Sequence, residues 1–196
     1  MFNGRLATLL VLAASPKESL RFQFCHEQGF DTSCGMTVAA TMLDHYWGIP
    51  VSELELIETV LGDKVEAGDY TVSLADMASA FSAHGISSRA YRLDWDGLRA
   101  VVGKGYAPIV VHYDRPEKHF ALLLGFNGDR AVTVDPARGM ESMSRETFEN
   151  RYSGMAMLAA SAAMAADADA LMAAMSWAAG KQAGLEAAAD RIRLGW

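Results

Sequence analysis

Apolar residues recur at helical spacing in the first half of the chain, and in the second half they run together or alternate. From Cys34 onward, Val38, Met42 and Tyr46 return every four residues with Ala39 and Leu43 beside them, the stripe of an amphipathic helix. Asp31, Thr32 and Ser33 are all good N-cap residues, so this helix is expected to start at or just before Cys34. Gly48-Ile49-Pro50 stops it. A second helix is predicted from Ser52, with Glu55 at capping-box spacing, Leu54, Ile57 and Leu61 turned inward, and Gly62 at its end. A third opens at Ser73 with Asp76, turns Leu74, Met77, Ala78 and Phe81 inward, and ends at Gly85. Ile86–Leu93 alternates as a strand does, and Asp94 can cap a short helix running to Val102.

The character changes after Gly105. Ala107–Tyr113 is rich in β-branched residues and reads as a central strand. Phe120–Phe126 and Ala131–Val134 read as a hairpin turning at Asn127-Gly128. Ser144–Tyr152 is predicted helical and Met155–Ala160 a last strand, while the alternation of Arg21–Phe24 predicts a short strand ahead of the cysteine. Helices first and an antiparallel sheet second make an α+β fold in two lobes. From Ser161 the composition shifts to alanine and methionine, and Asp167 and Asp169 argue against a membrane span. Leu171, Met175, Ala178, Gln182, Leu185, Ala189 and Ile192 form one stripe on a long helix, which can pack on its own domain or offer a partner or dimer contact. The expected organisation is an N-terminal segment at 1–20, a domain at 21–160 and a helical tail at 161–196.

Composition narrows the function classes. A chain of 196 residues suffices for one domain with a proper core. A net charge of −7 without any lysine or arginine cluster argues against nucleic acid or an anionic membrane as main partner. Two cysteines make no disulfide framework, and there is no CxxC, no zinc-type Cys/His spacing and no HExxH. No metal or cofactor is therefore expected. Arg5 followed by the apolar run Leu6–Ala14 reads as a short secretory signal cleaved near Ala14 or Ser15, which would place the protein in the periplasm or outside the cell. The alternative is a buried N-terminal element of a cytosolic domain. The run is too short to span a bilayer.

The candidate chemistry starts at Cys34. A thiol at a helix start sits among unpaired backbone N–H groups at the positive end of the dipole, and both favour thiolate. A lone cysteine is nonetheless more often inert core, so a base has to be found. His26 lies in a loop beside Cys25, and His45 stands three turns along the same helix, too far to touch Cys34. His84 terminates a helix, and His112 inside a strand can face core or cleft. His119 begins a strand after the polar loop Asp114–Lys118, a suitable place for a general base. Asp135 ends the partner strand of that hairpin. With a turn at Asn127-Gly128, Pro136 lies opposite His119 and Asp135 points to the other face, so a bulge, another pairing or a bend is required.

Four phrases carry a resemblance: Q-G-F-D-T-S-C-G-M at 28–36, H-F-A-L-L-L-G-F-N-G at 119–128, V-T-V-D-P-A-R-G at 132–139 and F-E-N-R-Y-S-G-M-A-M-L at 148–158. From about Phe22 to Leu158 the chain resembles the bacteriocin-processing, or double-glycine, cysteine peptidases, which have a papain-like fold. The resemblance implies Cys34 as nucleophile, His119 as general base, Asp135 as its orienter and Gln28 as oxyanion donor. It also implies a peptide or protein substrate cut after two small residues, commonly Gly-Gly. Many family members are domains of ATP-driven transporters. Without a membrane-spanning run or a GxxxxGK[ST] loop, this chain resembles the stand-alone members, some of which are exported and serve secretion or surface-assembly systems. The expected function is a cysteine endopeptidase. Two alternatives stay open: a papain-like accessory module that binds a peptide without cutting it, and an acyltransferase that hands the acyl group to an amine.

Overall fold

Helix α1 spans Cys34–Thr41 and continues through a π-helical turn at Met42–Tyr46. The computed structural model describes residues 20–30 and 32–194. The expected signal at Met1–Ala14 and the candidate cap Asp31 lie outside the described residues. The helix starts where its cap residues predict, but it is not amphipathic in its setting: every residue from Gly35 to Leu43 is buried. It packs against β3 and against the next two helices. Thr37 and Thr41 are tolerated there because both hydroxyls are bonded, Thr37 Oγ1 to the Ser33 carbonyl at 3.2 Å and Thr41 Oγ1 to the incoming His26 N–H at 3.0 Å.

Helix α2 (Glu53–Glu66) is capped by Ser52, whose hydroxyl accepts from Glu55 N–H. It runs past Gly62, the predicted end, since one glycine costs a helix only about 1 kcal/mol. Its inward residues are Leu56 and Leu61, and Leu54, predicted inward, is 52% exposed. Helix α3 (Leu74–Ala83) carries the full reciprocal capping box of Ser73 and Asp76 and buries Met77, Ala80 and Phe81. Arg21–Phe24 forms a turn, not the predicted strand, with Cys25 N–H bonded back to the Phe22 carbonyl.

The sheet follows. Strand β1 (Ser87–Arg92) leads to α4 (Trp95–Val102), capped by Asp94. Then come β2 (Ile109–Tyr113), β3 (His119–Asn127), β4 (Arg130–Asp135), β5 (Gly139–Ser144), α5 (Arg145–Arg151) and β6 (Tyr152–Ala160). All neighbours are antiparallel, in the order β1-β6-β2-β3-β4-β5. One face carries Val110, Leu122, Leu124, Val132 and Val134 into a core shared with α1, α2 and α3. The other carries Ile109, Val111, Ala121 and Leu123 against Trp95 of α4 and Phe148 of α5. A long helix α6 (Ala168–Leu194) closes the described chain. Its first half packs through the buried Ala174 and Ala178, with Trp177 edge-on to Phe24, whereas Leu185 further along is 61% exposed.

Candidate active site

Cys34 is the first residue of α1, half-buried at the helix start. The backbone there is held from three sides. The Ser33 carbonyl accepts from Met36 and Thr37 N–H, and the Ser33 hydroxyl donates to the Phe30 carbonyl at 2.8 Å. Glu53, the first residue of α2, ties the segment together by accepting from Gly29 N–H and Thr37 Oγ1, each at 2.8 Å, and from the Ser33 hydroxyl. Gly35 is required by packing: a Cβ there would come within 2.5 Å of Val72 Cγ1 and 3.3 Å of Phe120. Only glycine lets the first turn of α1 approach this wall so closely.

His119 and Asp135 reach the same face by a one-residue slip. The hairpin turns at Gly128-Asp129, with Asn127 opposite Arg130, one residue later than predicted. Pairing then jumps, Gly125 opposing Val132 but Leu123 opposing Thr133, so Leu124 is an extra, bulged residue. Continued to the strand end, this register sets Asp135 opposite Ala121, two residues from His119 and on its face. The pair is tight. His119 Nε2 lies 2.8 Å from Asp135 Oδ1, and that oxygen also accepts from the backbone N–H groups of Ala137 at 2.8 Å and Arg138 at 3.2 Å. Asp135 is fully buried. Burial by itself would lower the His119 pKa, but the Asp135 carboxylate bonded to it and the nearby Cys34 sulfur outweigh it and raise it to about 9. With Nε2 held by Asp135, Nδ1 is the nitrogen left for Cys34.

These groups open on one cleft of about 400 Å³, lined among others by Gln28, Cys34, Val72, His112, His119 and Phe120. Gln28 is anchored through its N–H to the Pro136 carbonyl at 2.9 Å, next to Asp135. Its Oε1 is buried without a hydrogen-bond partner. The model of the Peptidase C39 family matches residues 24–164. The chain belongs to the Peptidase C39 family. Among curated relatives, the "Probable functional amyloid protease FapD" of Pseudomonas aeruginosa is 28% identical over 137 residues, 69% of this chain and 59% of the relative. The "Colicin V secretion/processing ATP-binding protein CvaB" of Escherichia coli is 28% identical over 124 residues, 63% of this chain but 16% of that protein. This chain thus spans well under two thirds of either relative's length.

Solved C39 structures share the fold. The peptidase domain of Streptococcus ComA superposes with a TM-score of 0.60 at 21% identity, covering 70% of this chain and 97% of that one. A double glycine motif protease from an AMS/PCAT transporter, solved with its leader peptide, gives 0.52 at 21%, covering 69% and 89%. The helical part followed by an antiparallel sheet is therefore that of C39 peptidase domains, with α6 added after the matched region.

Within this C39 chain His26, His84 and His112 each have a hydrogen-bond partner of their own. His26 pairs with Asp44 at 3.0 Å, and His84 Nδ1 bonds the Ala80 carbonyl of its own helix at 2.8 Å. His112 lines the cleft, stacks near Phe120 and bonds Ser153 at 2.9 Å; burial lowers its pKa. Cys25 is buried, with its thiol pKa pushed up to about 12 by burial and then by Asp135 and Glu27. Glu53 and Val72 were invisible to motif reading. An acidic residue one place after a serine cap looks like dipole compensation, and nothing local to Val72 signals contact with residue 35.

Proposed function

We propose that this chain is an endopeptidase using Cys34 as nucleophile, His119 as general acid–base, Asp135 as its orienter and Gln28 as an oxyanion donor. The single observation that carries the reading is the His119 imidazole, bonded at Nε2 to buried Asp135 and lining the same cleft as Cys34. The thiol proton passes to His119, and the sulfur attacks the scissile carbonyl carbon. The oxygen takes the negative charge opposite the Gln28 amide and the backbone N–H at the helix start; one such donor is worth about 3 kcal/mol in the transition state. The imidazolium then protonates the departing amine as the C–N bond breaks, leaving a thioester. Water, deprotonated by His119, attacks that thioester and releases the acid and the thiol.

The substrate is a peptide or protein leader cut after small residues of the Gly-Gly type. Bulky Val72, His112 and Phe120 line the cleft that holds Cys34, which favours substrate residues with little side chain there. A second, apolar groove of about 300 Å³ shares Thr32 and Val72 with the cleft and is flanked by the exposed Phe30, Leu54 and Tyr70. It would seat apolar side chains of the same substrate. The relatives' names, a functional amyloid protease and a colicin secretion/processing protein, support service in a secretion or surface-assembly system. Among the described residues, no helix is long and apolar enough to cross a membrane.

The test is a set of peptides differing only at the two residues before the scissile bond, followed by mass spectrometry. Cleavage is expected after Gly-Gly and Gly-Ala, not after Leu-Leu, and is lost in Cys34→Ala. Equal cleavage of all peptides would overturn the specificity. Cleavage that survives Cys34→Ala would overturn the mechanism. An amine-transfer product in place of hydrolysis would turn the assignment to acyl transfer.

A further inference from the structure

We propose that His26, Asp44 and His45 form a binding site for a divalent cation of the zinc class, at the C-terminal end of the helix that begins with Cys34. One ligand atom from each of the three lies within 4.8 Å of the others. His26 Nε2 and Asp44 Oδ2 are already 3.0 Å apart. Two ligands on one tetrahedral zinc sit about 3.3 Å apart, as bond lengths near 2.0–2.1 Å require. The set therefore needs a small side-chain adjustment and no movement of the main chain. Two imidazoles and one carboxylate are borderline donors that suit zinc and its neighbours better than magnesium or calcium. Three protein ligands leave a fourth position for water.

The local backbone explains how the set arises. Asp44 and His45 lie in the π-helical turn Met42–Tyr46, an interruption that often coincides with function. His26 comes from the coil segment that leads to Gln28, and its N–H is fixed by Thr41 Oγ1 at 3.0 Å. The rings of His26 and His45 stand edge to face with centroids 4.9 Å apart, and a nitrogen of each lies within 4.8 Å of an Asp44 carboxylate oxygen. About one third of the His26 and Asp44 side chains is exposed, which gives a cation a way in. A cation here also meets the negative end of the helix dipole.

The site is separate from the proposed catalytic centre. Asp44 is ten residues along the helix from Cys34, about 15 Å by helical rise. The two are nevertheless linked by chain, because His26 lies two residues before Gln28. A bound cation would clamp the segment carrying Gln28 to the helix carrying Cys34. The spacing of positions 26, 44 and 45 matches no metal motif, which is why sequence reading expects none.

Binding is tested on the untagged full chain carrying Cys34→Ala, so that the active-site thiol cannot take the metal. Zinc chloride is titrated by calorimetry, and cobalt(II) is followed by its visible ligand-field bands. One equivalent is expected to bind in the micromolar range or tighter, with tetrahedral cobalt bands. His45→Gln and, separately, Asp44→Asn are expected to weaken it about tenfold or more. Saturating zinc should raise the thermal midpoint of the parent by about 5 °C or more, and lose that effect in both variants. If one variant fails to fold by circular dichroism, the other decides. No binding, or binding weakened less than tenfold by the substitutions, overturns the proposal.

Discussion

Two histidine–aspartate pairs stand at opposite ends of one helix, and they differ in burial and in the third group beside them. At the N-terminal end, His119 and Asp135 are 2.8 Å apart, with Asp135 fully buried and held by two further backbone N–H groups. At the C-terminal end, His26 and Asp44 are 3.0 Å apart, each about one third exposed. The first pair faces a thiol and the second a further imidazole. Burial decides the strength of each pair. In the dry site the carboxylate holds a proton on its histidine, whereas the wet pair is screened by solvent.

The largest effect expected from breaking this contrast is at Cys34. Cys34→Ala should lower kcat by about 10⁴-fold or more, as removal of a nucleophile does elsewhere, measured on a cleavable peptide. A thiol-directed electrophile should modify Cys34 and spare Cys25, which is buried with its thiol pKa pushed up to about 12; mass mapping reads this directly. Next comes Asp135→Ala, which should cost about 10²–10⁴-fold in kcat and about 2–3 kcal/mol by urea unfolding, since it orphans His119 and two N–H groups. Asp135→Asn keeps an acceptor for the two backbone N–H groups and should cost less in stability, while kcat should still fall about 10⁴-fold because the amide favours the wrong His119 tautomer.

The pH profile sharpens the same contrast. The His119 pKa is raised from 6.5 to about 9, so the stability this interaction contributes is full below about pH 6.5 and is lost as pH rises through about 9. Unfolding midpoints across that range should fall on the alkaline side, and the fall should shrink in Asp135→Ala. Gly35→Ala overpacks the wall of Val72 and Phe120 and should cost about 1–3 kcal/mol by thermal unfolding. The smallest effect belongs to the wet pair: Asp44→Asn in metal-free protein should change stability by about 0.5 kcal/mol or less.

Much of the frame was legible because it rests on local chemistry. The Ser73–Asp76 capping box and the Asp94 cap each depend on residues within one helical turn. The strand Gly139–Ser144 escaped notice because M-E-S-M-S lacks β-branched residues, and it is a strand because β4 offers it a ladder. Leu54 was misassigned for a related reason: on α2 the inward positions are Leu56 and Leu61, set by where the helix sits against α1 and α3. The same displacement makes Leu54 part of an apolar groove.

The order of the chemistry-bearing residues, the caps at Ser52, Ser73 and Asp94 and the hairpin that brings residues 119 and 135 near each other were readable along the chain. Side-chain periodicity and turn propensity are properties of neighbours in sequence, so they survive without a fold. The face on which Asp135 meets His119 was not readable, because a bulge at Leu124 shifts the ladder by one residue and one residue turns every side chain over. Nor were the three contacts of Glu53, the need for glycine at position 35, or the convergence of His26 with Asp44 and His45. Each depends on the distance between elements, which close packing sets when the whole core assembles and no local preference encodes.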